Sequence, residues 1–211
     1  TPTSDFYGGH RPGNNLFAES LVCVDLRTGQ RKWFFQFVHH PLWNFDNSSA
    51  PLILDINVGG RPIKAVAVPS KQAYLYVFDR VTGQPVWPIE EKPVPQSDVP
   101  GEKTAKTQPF PSKPPAYGRN YLKVPDDVID FTPELRAQAL DVLKWYKVGD
   151  SPFTPPMLGN VNGILGAVGA GTATNWPGSA ADPETHVVYA QAGNTPSARS
   201  LVEPPPGFSD I

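Results

Sequence analysis

The sequence CVDLRTGQRKW, residues 23–33, has a second copy in VFDRVTGQPVW, residues 77–87. The two copies share an Asp, a Thr, a Gly, a Gln and a Trp at the same spacing, and a shorter third copy, DPET, occupies residues 182–185. In each copy an apolar run ends at the Asp, whose carboxylate can bond the amides that follow, and the Gly permits a positive φ. The pattern predicts a strand, a tight turn and a returning strand that begins with a large buried Trp.

The distance between the copies indicates how such units are arranged. Repeats of this length are typical of stacked supersecondary units, and four-stranded propeller blades fit the spacing. We predict an all-β fold, a partial β-propeller of about three blades with a Pro-rich loop and one inserted helix. The blades are expected near residues 18–87 and 160–195, and the insertion at 88–158. Because closed propellers have about four to eight blades, residues 1–211 are interpreted as a fragment of one larger domain.

Local patterns predict most of the strands and one helix. Alternating apolar residues and β-branched runs predict strands at 18–25, 31–39, 51–58, 63–69, 74–79 and 187–190. Residues 88–118 hold eight prolines, so this stretch is predicted to be an extended loop outside any sheet. Thr132 as N-cap, with Pro133 and Glu134 after it, predicts a helix whose apolar face runs from Leu135 to Tyr146 and which ends at Lys147.

Composition limits the classes of partner and of covalent chemistry. The formal net charge of −2, with 18% charged residues, gives no support for a nucleic-acid partner or an anionic membrane surface. The single cysteine, Cys23, permits no internal disulfide and is predicted to be a buried packing residue. The sequence shows no transmembrane run or signal peptide.

The segment VHHPLWNFD, residues 38–46, concentrates groups that can carry chemistry. An extended backbone would place Asn44 and Asp46 on one face and Trp43 and Phe45 on the other. The adjacent histidines at 39 and 40 are interpreted as structural rather than as metal ligands. Lys71 lies in a Pro-Ser-Lys-Gln turn between two predicted strands. A lone lysine in a turn is usually solvated, so only a specific partner would give it a further role.

Several long motifs resemble one family. They are the turn repeat, VHHPLWNFD, the stretch VPSKQAYLYVFDRVTGQPVWPIEEKPVPQSDVPGE at 68–102, and FTPELR at 131–136. Together they are similar to the quinoprotein dehydrogenases that use pyrroloquinoline quinone (PQQ), of the membrane-bound glucose and quinate dehydrogenase type. The resemblance extends over nearly the whole chain. It implies an eight-bladed β-propeller with the quinone and a calcium ion at its centre.

The resemblance also implies roles for individual residues. Lys71 matches the family lysine that bonds the quinone oxygens, and Asn175 with Trp176 matches a pair that contacts the quinone ring. In the family an Asp follows the Trp of the 39–46 segment and takes the proton of the substrate hydroxyl, whereas this chain has Asn44. An amide does not titrate near neutral pH and cannot serve as a general base.

Asp46 is the nearest carboxylate to this departure, and three roles for it stay open. It could replace the base, it could be a metal ligand as in some lanthanide-using relatives, or it could pair locally. The family's His-His-Asp is here His39-His40-Pro41, a second departure. The Asn and Glu that hold calcium in the family are expected upstream of Thr1.

Two functions follow from these observations. The first is a periplasmic PQQ-dependent oxidoreductase, with inner-membrane anchoring left open, that oxidises a sugar, polyol or alicyclic alcohol by hydride transfer and passes electrons to a membrane quinone. The second is a propeller that keeps the fold but has lost the activity and acts as a binding or scaffold module, which Asn44 favours. The isolated chain is expected to have no turnover.

Overall fold

The computed structural model describes residues 2, 4–169 and 173–208. Strands are the main regular structure of these residues, and they form five small sheets joined by loops and one helix. The strands are β1 (Ser20–Val24), β2 (Arg31–Gln36), β3 (Leu52–Val58), β4 (Arg61–Pro69), β5 (Leu75–Asp79), β6 (Ile89–Pro93), β7 (Thr107–Pro111), β8 (Tyr146–Val148), β9 (Gly166–Gly169), β10 (Ser179–Asp182), β11 (Val187–Ala190) and β12 (Ser197–Arg199). The helix α1 is Pro133–Leu143. The predicted all-β class with one inserted helix is confirmed.

The pairing is antiparallel in every sheet except between β8 and β9, which are parallel. Two sheets have three strands, in the orders β3-β4-β5 and β12-β9-β8, and the pairs β1-β2, β6-β7 and β10-β11 form the others. The central β4 is the longest strand, and its second half is buried. This strand leads directly into the turn that carries Lys71.

The predicted bonds from the Asp carboxylate to the following amides are present in all three copies of the turn. In each, the Asp Oδ1 accepts bonds from the backbone amides two and three residues later, at distances between 2.8 and 3.4 Å. Gly29 and Gly83 adopt φ values of 70° and 76°, as the pattern required. The bonded amides hold the pKa values of Asp25 and Asp79 below the usual range. The Thr185 hydroxyl and then the amides do the same for Asp182.

The tryptophan of the first copy packs on the turn of the second copy. The Trp33 indole Nε1 donates to the carbonyl oxygen of Arg80 at 3.2 Å. A Cβ on Gly83 would lie only 2.6 Å from Trp33 Cγ, so the ring lies directly over this glycine. The prediction for the second tryptophan is wrong, because Trp87 lies outside the strands. Pro85 and Pro88 have no amide hydrogen to donate to a ladder, which leaves only a single bridge between Phe78 and Pro85.

Two predictions about the insertion are also wrong. Residues 89–93 and 107–111 form a two-stranded hairpin despite their prolines. In a two-stranded ribbon alternate amides face away from the partner, so Pro109 and Pro111, two residues apart, can both lie on the unpaired side. The helix begins as predicted, since Thr132 Oγ1 accepts from the Leu135 amide at 3.2 Å, but it ends at Leu143. The residues that follow pair with β9, and no side chain of α1 is buried.

Most of the core lies between β2, β4, β5 and the segment that follows β2. Twelve buried residues form the larger cluster: Phe37, Val38, Leu42, Trp43, Phe45, Val66, Val68, Tyr74, Tyr76, Phe78, Val94 and Phe153. The strand predicted for 31–39 ends at Gln36, and the chain then continues as buried irregular backbone. Cys23 is half-buried, so the prediction of a buried cysteine was too strong. The core therefore holds residues 37–45 in a fixed position beside the Lys71 turn.

Candidate functional site

Residues 43–46 separate their side chains into the two predicted groups, although the backbone at Asn44 is not extended. Trp43 and Phe45 are buried with their ring centroids 6.1 Å apart, and Trp43 Nε1 donates to the Thr154 carbonyl at 2.9 Å. Asn44 and Asp46 point the other way, and both contact Lys71. Asn44 has a φ of 57°, an uncommon value for a residue other than glycine. The aromatic pair thus fixes the backbone from which the two polar groups project.

Lys71 is a buried lysine with a full set of oxygen partners. Only 4% of its side chain is exposed. Its Nζ donates to the backbone oxygen of Asn44 at 3.1 Å, to Asn44 Oδ1 at 2.7 Å and to the Asp46 carboxylate. A buried ammonium is stable only when such partners replace its hydration. The sequence left open whether Lys71 has a specific partner, and in the structure its partners are Asn44 and Asp46.

The Asn44 amide bridges two charged groups. Its Oδ1 accepts from Lys71, and its Nδ2 donates to the carboxylate of Asp5. An aspartate at this position would accept from Lys71 but, once ionised, would have no proton to offer Asp5. Sequence reasoning missed Asp5, which lies 39 residues from Asn44 in a stretch without a recognisable motif. The amide is thus matched to its neighbours.

Asn175 lies beside this cluster and Trp176 is open to solvent. Asn175 Oδ1 accepts from Ser48 Oγ at 3.0 Å, and the Ala173 amide donates to the Lys71 carbonyl at 2.9 Å. These contacts tie the 173–175 segment both to the Asp46 loop and to the Lys71 turn. Trp176 is 77% exposed. The structure therefore brings Asn44, Asp46 and Lys71 into direct contact and joins Asn175 to them through Ser48.

The two histidines contact carboxylates of the insertion. His39 Nε2 lies 2.9 Å from Glu91 Oε1, and His40 Nε2 lies 2.6 Å from Glu102 Oε1, with both members of the second pair buried. Burial alone would raise the pKa of Glu102, but the bonds from His40 and from two backbone amides outweigh it and hold this pKa below its usual value. Within residues 2, 4–169 and 173–208, no group of three His, Cys, Asp or Glu could hold a metal ion.

The chemistry of these groups fits part of a site for an anionic quinone. The Lys71 ammonium supplies a buried positive charge, and the Asn175 amide lies beside it. The amide atoms of Asn47 and Gln72, next in sequence to Asp46 and Lys71, are buried without a partner in the part of the chain that the structure describes. Such groups are normally satisfied, so each of these two amides can still take hydrogen-bonding partners. The Asp46 and Asn44 oxygens are of the type that calcium prefers.

The chain matches one known protein family over nearly its whole length. Residues 1–209 match the family described as "PQQ: Glucose/ethanol/alcohol dehydrogenase, beta-propeller domain". The chain therefore belongs to this family, and its fold is part of the family's β-propeller, as its resemblance predicted. No helix among the described residues has the length and apolarity needed to span a bilayer.

Two curated relatives and one solved structure are similar to this chain over most of its length. The chain is 34% identical over 209 residues to the quinoprotein glucose dehydrogenase of Gluconobacter oxydans (strain 621H), covering 97% of this chain and 25% of the relative. It is 32% identical over 193 residues to the probable quinate dehydrogenase (quinone) of Xanthomonas campestris pv. juglandis, covering 90% and 24%. The crystal structure of quinohemoprotein alcohol dehydrogenase from Comamonas testosteroni aligns with a TM-score of 0.49 at 20% identity, over 89% of this chain and 21% of that chain. The chain thus spans about a quarter of the length of these curated relatives.

Proposed function

We propose that this chain is part of a PQQ-dependent oxidoreductase that oxidises a sugar, a polyol or an alicyclic alcohol. The observation that carries the proposal is the buried Lys71 ammonium, held by Asn44 and Asp46. Family membership supports the cofactor, and relatives named as glucose, glycerol and quinate dehydrogenases support the substrate class.

Each residue of the cluster has a proposed task. Bound PQQ supplies a hydride acceptor. Lys71 holds a fixed positive charge where the quinone oxygens gain negative charge, in a buried place where such a charge is most effective. Asn175 and Trp176 orient the quinone, and Asp46, with 22% of its side chain exposed, is the carboxylate proposed to take the hydroxyl proton that Asn44 cannot take. Asp46 is also the proposed calcium contact from this chain.

A second candidate function is a propeller that has lost turnover and acts as a binding or scaffold module. The observation that favours it is the bridging role of Asn44, whose amide satisfies both Asp5 and Lys71. Such a position is adapted to a neutral donor-acceptor group, and general-base catalysis is worth about 10²–10⁴ in rate. A protein without that base would retain affinity for the cofactor and lose most of its turnover.

The deciding experiment uses the full-length protein reconstituted with PQQ and calcium. Dye reduction is measured with a panel of sugars, polyols and alicyclic alcohols for the natural protein, Asp46→Asn, Asn44→Asp, and the double variant Asn44→Asp with Asp5→Asn. Asn57→Asp, on the exposed side of β3, is the matched control. Turnover in the natural protein that is lost in Asp46→Asn would support the dehydrogenase. Cofactor binding without turnover, followed by turnover only in the Asn44 variants, would favour the second candidate.

The fate of the electrons and the location of the protein are further parts of the proposal. We propose that electrons pass to a membrane quinone and that the protein acts in the periplasm, either free or held at the inner membrane. The family relationship supports this arrangement. Fractionation of cells that express the full-length protein, with ubiquinone reduction measured in the membrane fraction, tests it directly. Activity confined to the cytoplasm would contradict the proposal.

A further inference from the structure

A tyrosine of the insertion contacts the turn that carries Lys71. Tyr117 Oη lies 2.9 Å from the Ser70 carbonyl oxygen and 2.8 Å from Thr174 Oγ1. The backbone amide of Tyr117 donates to the Ala73 carbonyl at 3.0 Å. Tyr117 therefore contacts residues on both sides of Lys71 and, through Thr174, the residue next to Asn175.

The turn that Tyr117 contacts is strained. The Ala73 amide donates to the Ser70 carbonyl at 3.1 Å, which closes a four-residue turn with Lys71 as its second residue. Ala73 has a φ of 64°, although it is not a glycine. Backbone in this region costs free energy and persists only where neighbouring contacts enforce it. The two bonds from Tyr117 are contacts of this kind.

Besides the Lys71 turn, Tyr117 contacts the segment around Thr174. Thr174 is 1% exposed, and its Oγ1 lies 2.8 Å from the Gln191 carbonyl oxygen. The Tyr117 and Thr174 hydroxyls carry one proton each. They can therefore donate two hydrogen bonds among the three contacts that link Ser70 to Tyr117, Tyr117 to Thr174 and Thr174 to Gln191. Burial raises the pKa of Tyr117, so its hydroxyl stays protonated at neutral pH. Removing that hydroxyl takes away one of the two protons that hold the segments together.

The backbone next to Tyr117 is also close to the turn. A Cβ on Gly118 would lie 3.3 Å from Ala73 Cβ and 3.1 Å from Ala192 Cβ, so the insertion and the turn are in van der Waals contact at this point. The contact joins the insertion to the Lys71 turn and to Ala192, the residue after Gln191, whose carbonyl oxygen lies beside Thr174 Oγ1.

We propose that Tyr117 is a positioning residue for the cofactor site, which aligns the Lys71 turn with the Asn175 segment before the quinone binds. This inference rests on the proposed function. The effect acts through backbone position, because the hydrogen bonds of Tyr117 join it to Ser70, Ala73 and Thr174, which flank the proposed cofactor ligands.

The test compares two tyrosine-to-phenylalanine variants of the full-length protein. Tyr117→Phe removes the hydroxyl at the turn. Tyr76→Phe is the matched control, because Tyr76 Oη also bonds a carbonyl oxygen of the insertion, that of Pro109 at 3.0 Å, within the core. Tyr117→Phe loses the two part-buried contacts of its hydroxyl with Ser70 and Thr174, and Tyr76→Phe loses one fully buried bond, so both variants are expected to lose some thermal stability. PQQ affinity is measured by titration of the apo protein, and amide hydrogen exchange is followed in peptides covering 69–74 and 173–176.

The expected result is that Tyr117→Phe weakens PQQ binding about fivefold to tenfold and speeds exchange in both peptides, whereas Tyr76→Phe changes neither. Equal PQQ affinity and equal exchange in the two variants would overturn the inference and leave the proposed function intact. If the natural protein did not bind PQQ at all, the proposed function would fail and this inference with it. The exchange result would then report only on turn stability.

Discussion

Two of the lysine–aspartate pairs in this chain have very different surroundings. In the first repeated turn, Lys32 Nζ lies 3.3 Å from Asp25 Oδ2, and 56% of the lysine side chain is exposed. At the candidate site, Lys71 contacts Asp46 with only 4% of its side chain exposed, and it has Asn44 as a second partner. Exposed pairs contribute little to stability, whereas a buried charge depends on its partners. The same two residue types thus form a solvated pair in one region and a buried, hydrogen-bonded charge at the candidate site.

The substitution with the largest expected effect tests this contrast directly. Lys71→Met removes the buried ammonium, so dye reduction by the reconstituted full-length protein should fall by about 10²–10³, as for loss of one donor to a developing anion. Unpairing the partly buried Asp46 should also lower the free energy of unfolding. Lys32→Met is the control and should leave both quantities within error, since it breaks an exposed pair. Equal losses in the two variants would show that burial does not distinguish the two pairs.

The second prediction compares two glycines at the same position of the repeated turn. Gly29 and Gly83 both have positive φ, and a Cβ on Gly29 would meet no atom within 4 Å. A Cβ on Gly83 would meet the Trp33 ring at 2.6 Å. Gly29→Ala should therefore cost about 1 kcal/mol for the backbone alone, and Gly83→Ala about 2–4 kcal/mol because the ring must also move. Urea unfolding of the two variants measures the difference.

This pair of glycines also shows how far the sequence could predict the structure. The turns depend on contacts between residues two to four apart, so five shared letters were sufficient to predict the Asp-to-amide bonds and the positive φ values. The packing of Trp33 on Gly83 joins two copies, and its partner could not be inferred from either copy alone. Predictions failed where pairing overrode local preference, as in the proline-containing hairpin of 89–93 and 107–111.

The candidate site also has one local feature that the sequence predicts and several contacts that it does not. The alternation of residues 43–46 predicted that Asn44 and Asp46 share a face, and both do contact Lys71, but the positive φ of Asn44 shows that the backbone is not the extended strand that the prediction assumed. The contact of this face with Lys71 joins residues 25 to 27 apart, and the contact of Asn44 with Asp5 joins residues 39 apart. Such contacts depend on how separate segments fold together, and a single sequence gives no spacing rule for them. The assigned roles of these residues stay predictions until they are tested.

The third prediction extends the comparison to carboxylates at low pH. Glu102 is buried and contacts His40, 62 residues away, whereas Glu90 forms an exposed pair with Lys92 at 3.1 Å. Because the pKa of Glu102 is lowered in the folded protein, its stabilising contribution is fully present above the pKa of the unfolded chain, about 4.3. That contribution is lost as the pH falls through the lower folded value.

Glu102→Gln should therefore cost about 2 kcal/mol of unfolding free energy at pH 7, since a buried hydrogen-bonded charge is replaced by a neutral amide. The cost should shrink as the pH falls below about 4, where the natural carboxylate also begins to gain its proton. Glu90→Gln should change little at either pH, because its pair is exposed on both sides. Urea midpoints at both pH values measure the two effects. A cost at Glu102 that did not depend on pH would mean that the loss comes from the shape of the side chain. In that case Glu102 and Glu90 would differ in how their side chains pack, and the charge of Glu102 would not be the cause of the difference in stability.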